Sequence, residues 1–542
     1  MKHALDFRRP SYFYPETHLH KLTQRRLDCL FETDTQHLLD GRLIGLEKET
    51  LRSAPEGGLA QTPHPASLGS ALTHPYITTD YSEALMEFVT PPFEHSSDAL
   101  AFLRDAQAYV YANLQDELLW ATSMPCVLSG EAGVPIAKYG SSNSGMMKHI
   151  YRRGLGYLYG KVMQVIAGVH FNYSLPESFW RLYQDLEKNK QDLRDFIDDQ
   201  YFAIIRNLQR FGWLVPYLFG ASPAICKSFL GGKATNLQEF DANTYYGHYG
   251  TSLRMGDIGY QNNKENEIGI KASYHNLDAY IQSLQWAITT PYQGYEEIGV
   301  KVAGEYRQLN ANILQIENEY YSTVRPKQIL EGYEKPTIAL KRRGVRYIEL
   351  RSLDVDAFEP LGISATQMKF IEALMVYCLL QDSPNIMSAE QVEIDKNELD
   401  VAHYGRDPAL LLQRNAQPIS LKAWALEICD DMQGVCELLD RSQQGNPYMA
   451  ALAEQRAKVL DPNLTPSARM LQVMRDNGEG FYHFAKRMSQ QYFDYFRQVQ
   501  LSAEQRKYFD DLTTASLENQ ALLEADTSVA FDVYLKNYFS QT

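Results

Sequence analysis

The stretch Gly45-Leu-Glu-Lys-Glu-Thr-Leu-Arg52 sets the terms for the rest of the chain. Glu47 and Glu49 stand two residues apart, so on a strand both carboxylates point to one face while Ile44 and Leu46 point to the other. Neighbouring acids repel unless a cation sits between them, and oxygen ligands of this hard type suit Mg2+. Taken alone, the pattern reads more simply as a solvated edge strand with alternating polar residues. The remaining chain decides between the two.

With 542 residues the chain has the length of about three domains. Its charge of -15 argues against a nucleic-acid backbone or an anionic membrane as partner. No apolar run approaches the roughly 18–20 residues of a membrane span. The start, Met1-Lys-His-Ala-Leu-Asp-Phe-Arg-Arg-Pro10, lacks the apolar segment of a signal peptide, so a cytoplasmic location is expected. Cys29, Cys126, Cys226, Cys378, Cys429 and Cys436 are scattered with no C-x-x-C pair, which fits thiols in a reducing compartment.

Beyond the Gly45 stretch, residues 53–75 are rich in loop formers. Ile77 to Pro92 then carries Asp80, Glu83 and Glu87. A strand over 84–90, ended by Pro91 and Pro92, competes with a helix from Asp80, and the strand is favoured. Glu83 is expected at the surface. Tyr139-Gly-Ser-Ser-Asn-Ser-Gly145 is either a connector or a segment whose backbone amides face a ligand. Val169 to Leu175 alternates cleanly, placing His170 with Asn172 and Ser174 on one face. A lone histidine there is more often structural than a ligand, but its small polar neighbours fit a site wall. In Val345 to Asp354, Tyr347, Glu349 and Arg351 share a face, either as an ordinary ion pair or as a metal ligand beside a phosphate clamp. Helical spacing dominates from about residue 364 onward. The expected organisation is an N-terminal extension over 1–38, where Leu19 to Phe31 has helical character, a catalytic core over 39–363, and a mostly helical region over 364–542 packed on that core. Strands without regular β-α-β alternation favour α+β with a mainly antiparallel sheet.

Eight segments resemble the glutamate–cysteine ligase family of the proteobacterial type: GLEKETLR, ALTHPYITTDYSEALMEFVTP, KYGSSNSG, YGKVMQVIAGVHFNYSLP, RFGWLVPYLFGASPAIC, TSLRMGDIGY, LQIENEYYSTVRPK and YIELRSLD. They stand in the family's order from about residue 40 to 410, and the likeness continues more weakly to the C-terminus. The resemblance implies ATP-dependent joining of the glutamate γ-carboxylate to the cysteine amine, the first step of glutathione synthesis. It also implies a curved antiparallel sheet forming a funnel-shaped site, similar to glutamine synthetase and surrounded by helices. The implied Mg2+ ligands are Glu47, Glu49, Asp80, Glu87, His170 and Glu349. Arg351 would stabilise the transferring phosphoryl group, Arg325 and Lys327 would hold ATP phosphates, and Asp80 or Glu87 would take the ammonium proton. Arg254 would bind the cysteine carboxylate, with Tyr81, Tyr139, Tyr260 and Tyr321 around the acceptor. The expected partners are glutamate, cysteine and ATP, acting on a monomer. Met146 and Leu158 stand where the family usually carries arginines, and Tyr81 where phenylalanine is common. A γ-glutamyl ligase with another amine acceptor is therefore one alternative. A non-catalytic protein on the ligase fold is the other.

Overall fold

The computed structural model describes residues 18–32, 39–125, 127–259 and 271–541. At its centre lies a seven-stranded sheet whose strands are β1 (Leu43–Ser53), β2 (Ile77–Thr79), β3 (Leu85–Val89), β4 (Leu118–Leu119), β5 (Val169–Ser174), β6 (Val324–Lys327) and β7 (Tyr347–Leu353). Their order is β6-β7-β5-β1-β3-β2, with β4 paired to the far end of β1. Every pairing is antiparallel, and among the described residues the sheet does not close into a barrel.

Alternation gives this sheet two unlike faces. Ile44, Leu46, Met86, Phe88, Phe171, Tyr173, Ile348 and Leu350 are buried in one continuous apolar core on the first. Glu47, Glu49, Glu87, His170, Asn172, Glu349 and Arg351 occupy the second. Lys48 projects to the core side and is buried there. Its ammonium donates to Gln107 Oε1 at 2.7 Å, and burial pushes its pKa down to about 7.

The strand reading of 84–90 holds, and its physical reason is a turn. Asp80 N–H donates to Leu85 O and Leu85 N–H to Ser82 O, closing a hairpin between β2 and β3 where a helix would have begun. That inward turn also overrules the surface expectation for Glu83. Its carboxylate is buried and accepts from the backbone N–H of His64 at 2.8 Å and Lys138 at 2.7 Å, tying two loops to the sheet.

The helices that matter for the site are α1 (His18–Glu32), α2 (Ser96–Asn113), α3 (Asn143–Tyr159), α4 (Leu193–Phe211), α5 (Ala365–Leu380), α6 (Pro447–Leu460), α7 (Phe481–Gln498), α8 (Ala503–Ala525) and α9 (Phe531–Phe539). Leu27 and Leu30 of α1 are buried in the main core, so this helix is docked on the body of the protein. Ser364 caps α5 in a capping box with Gln367. Arg42, at the entry to β1, reaches into the helical layer. Its Nε donates to Glu372 Oε2 of α5 at 2.9 Å, one terminal nitrogen to the Tyr448 hydroxyl of α6 at 2.6 Å, and the other to Leu39 O at 2.7 Å. The guanidinium is 2% exposed and the carboxylate 0%, so the pair lies wholly inside. Among the described residues no helix is long and apolar enough to cross a membrane.

Candidate active site

The acidic face of the sheet forms the floor of a cavity of about 670 Å³. One wall is α3, the other is the chain from Ile316 to Pro336, and Leu523 of α8 with Tyr534 and Tyr538 of α9 closes the top. Register builds the floor: Glu47 stands opposite His170, Glu49 opposite Glu87, Arg325 opposite Glu349, and Glu349 opposite Asn172. His170 Nδ1 lies 3.1 Å from Glu47 Oε2 and 3.5 Å from Glu349 Oε1, and its Nε2 lies 3.7 Å from Glu49 Oε1. Glu47, His170 and Glu349 each offer a donor atom within 4.8 Å of the others. Asn172 Nδ2 donates to Glu47 Oε1, and the Gly168 N–H donates to Glu49 Oε2.

Their surroundings shift these carboxylates in opposite directions. Burial and the neighbouring charges of Glu47, Asp80 and Glu49 push Glu87 well above the usual carboxylate range. Burial also raises Glu49. Glu349 is buried too, yet Lys327 and Arg351, 3.0 Å away on either oxygen, hold it well below that range. For Glu47, burial and Glu349 act upward, and the hydrogen bond and charge of His170 overcome them.

Asp80 lines the cavity from the β2–β3 turn. Its carboxylate is 44% exposed and 4.0 Å from Arg152, so it stands at the rim, outside the Glu47–His170–Glu349 trio. Arg254 also lines the cavity, with its terminal nitrogen donating to Arg351 O at 2.7 Å. Its guanidinium lies against Gly168, where a β-carbon would come within 2.2 Å, so only glycine leaves room for it. Tyr81 and Tyr321 are part of the lining, as are Arg325 and Lys327. Tyr139 is not. Its hydroxyl sits 2.8 Å from Thr79 O and 2.9 Å from Asp80 O, and its ring lies under Lys148 and Arg152, so it braces the wall from behind. Tyr260 lies outside the described residues, as does Cys126.

Two cations went unread in the sequence. Lys148 and Arg152 stand one turn apart on α3 and face the acids across the cavity. Their i,i+4 spacing was the available signal, but nothing local says which way that face points. In the segment Tyr139–Gly145, Ser144 lines the cavity. Ser142 caps α3, and the Ser141 N–H donates to Glu524 of α8. Met146 lines a separate groove and Leu158 is buried outside the cavity lining, so neither touches the space where an acceptor would sit.

The wall chain is held by Glu319, buried and accepting from Gln315 N–H at 2.9 Å and the Tyr159 hydroxyl at 2.8 Å. Burial raises its carboxyl to about 7. The folded state thus binds this proton more tightly than the unfolded one. Its stabilising effect is full below about 4.5 and is lost as pH rises through about 7, on the order of 3 kcal/mol. Glu319→Gln should flatten the dependence of the thermal midpoint between pH 4.5 and 7, measured by scanning calorimetry. An unchanged slope would remove Glu319 as its source.

A model of the family described as glutamate–cysteine ligase matches residues 27–401. The glutamate–cysteine ligase of Alcanivorax borkumensis is 46% identical over 524 residues, 96% of this chain and 99% of that one. The one from Azotobacter vinelandii is 48% identical over 521 residues, 96% and 98% of the two chains. A crystal structure of Francisella tularensis glutamate–cysteine ligase in complex with AMP matches with a TM-score of 0.86 at 37% identity, covering 92% of this chain and 97% of that one. Likeness of this depth, over nearly the whole chain and in both sequence and fold, places the protein in the glutamate–cysteine ligase family.

Proposed function

We propose that this cavity joins the γ-carboxylate of glutamate to the amino group of cysteine through a γ-glutamyl phosphate made from ATP. The observation that carries the reading is the convergence, from β1, β3, β5 and β7, of Glu47, Glu49, Glu87, His170 and Glu349 beside Arg351, Arg325 and Lys327. A carboxylate does not react with an amine at neutral pH, because hydroxide is a poor leaving group. Transfer of the γ-phosphoryl group of ATP to the glutamate carboxylate supplies a better one. Attack by the amine then forms the amide and releases inorganic phosphate.

The residues divide this work by charge. Arg325 and Lys327 hold the phosphates of ATP, and Arg351, half-buried and paired with Glu349 at 3.0 Å, faces the phosphoryl group as it transfers. Lys148 and Arg152 face the floor from α3 and hold the carboxylate of an amino-acid substrate. Arg254, immobilised against Gly168, holds that of the acceptor, with Tyr81 and Tyr321 beside it. Asp80, exposed to the cavity at its rim, takes the ammonium proton.

The donor set also fits a divalent cation. Oxygen ligands dominate, and burial together with the neighbouring carboxylates raises the pKa of Glu87, a cost that a bound cation would offset. Glu47, Glu49, Glu87, His170 and Glu349 are the residues that would hold Mg2+. Bound there, the ion would neutralise phosphate charge and polarise the transferring group. Purified protein given glutamate, cysteine and Mg-ATP should release ADP in a manner that requires both amino acids. ADP release indifferent to either one would refute the reading.

A further inference from the structure

The cavity has two chemically unlike ends. Its inner end holds the acids and the cations that face them. Its outer end is aromatic and apolar: Leu330 and Tyr333 from the loop after β6, and Tyr534 and Tyr538 from α9. Leu330 and Tyr333 are exposed at 47% and 52%, a large apolar surface to leave at a cavity mouth. The two ends are joined by a short piece of chain. β6 ends at Lys327, whose ammonium touches Glu349, and the loop that follows reaches Leu330 and Tyr333 within six residues.

Helix α9 is fastened across this mouth to both walls. Lys335 Nζ donates to Phe539 O at 3.0 Å and Gln541 O at 3.1 Å, and Gln541 Nε2 donates to Tyr333 O at 3.1 Å. On the other side Leu535 is buried against Met147 and Ile150 of α3, and Asn143 Nδ2 donates to Val529 O. The docked helix sets Tyr534 edge-on to Tyr333, with ring centroids 6.0 Å apart. Tyr534 and Tyr538 are one turn apart on the face that meets the cavity. Both lie beyond residues 27–401, the part matched by the family model.

We propose that Tyr333, Tyr534 and Tyr538 hold the base of the nucleotide, so that α9 forms part of the ATP site. The assignment rests on the reading that Arg325 and Lys327 hold the phosphates. With the triphosphate on those cations, its reacting end lies at the acids and its other end lies towards the loop. A flat π-surface is the part of ATP that suits an aromatic mouth, and the flat base meets tyrosine rings by stacking or edge contact.

Steady-state kinetics on Tyr534→Ala, Tyr538→Ala and Tyr534→Phe test this, with inorganic triphosphate as a competitor that lacks the base. Tyr534→Ala should raise the KM for ATP about tenfold, the range expected for a lost base–aromatic contact. Its kcat, the KM for glutamate and the inhibition constant of inorganic triphosphate should stay at the wild-type values, and Tyr534→Phe should behave as wild type. If both alanine variants keep the ATP KM within twofold, the base assignment is overturned. It is overturned equally if Tyr534→Ala raises the triphosphate inhibition constant by the same factor as the ATP KM, since the helix would then act only as a brace. Failure of inorganic triphosphate to compete with ATP in the wild-type enzyme would instead overturn the phosphate reading, and the tyrosine variants still judge the base contact by their ATP KM.

Discussion

Glu349→Gln should lower kcat about a thousandfold while the protein stays folded. Glu349 is the point where three functions of the floor meet. It is wholly buried, it lies within reach of His170 and Glu47, and its two oxygens face Arg351 and Lys327 at 3.0 Å each. The amide keeps the shape but removes the charge. Arg351 then loses the carboxylate that fixes it, and a group that stabilises developing phosphoryl charge acts only if it is already in place. Losing one such preorganised group costs about 10² to 10³ in rate, and losing a ligand of the acidic cluster adds to that. Glu349→Asp restores the charge but draws it back by a methylene, so it should recover part of the loss. Activity of Glu349→Gln above a tenth of wild type, measured as ADP release dependent on both amino acids, would remove Glu349 from the centre of the site.

Arg42→Met is the second large effect, and it acts on stability. Arg42 and Glu372 are buried together with the Tyr448 hydroxyl, and Lys369 stands 3.2 Å from the other oxygen of Glu372. Removing the guanidinium leaves Glu372 with less compensating charge inside the protein, which costs about 3–5 kcal/mol when a buried pair is broken on one side. Urea unfolding should report a midpoint shift of that size. Replacing both partners by apolar residues should cost less than the sum of the single changes, since no stranded charge remains. An additive double mutant would show that the pair is not coupled. Because Arg42 opens β1, the damage should reach the site as well, raising KM values before kcat falls.

The sheet was legible because its period is short. Alternation in Gly45–Arg52, Val169–Leu175 and Val345–Asp354 put Glu47 with Glu49, His170 with Asn172, and Glu349 with Arg351, and the structure keeps each pair on one face. That β1 lies between β3 and β5 follows from pairing across long loops, which no local pattern encodes. The cations of α3 were missed for the same reason: Lys148 and Arg152 gain meaning only once α3 is laid over the acids. Tyr139 looked like a pocket tyrosine, yet the turn at Asp80 claims its hydroxyl. Glu83 looked solvated, and backbone donors from two distant loops bury it. The amides after Tyr139 looked available, and α8, nearly 400 residues later, takes one of them. In each case the deciding partner is remote in sequence.

The core-facing position of Lys48 constrains the register of β1. It sits between Glu47 and Glu49 and points the opposite way, into the core beside Gln107. Should β1 pair one residue out of step during folding, the ammonium would enter the acidic chamber and two carboxylates would be driven into hydrocarbon. Such a misaligned chain would be both inactive and too costly to persist. Three consecutive side chains, Glu47, Lys48 and Glu49, thus oppose a one-residue slip of β1 in either direction.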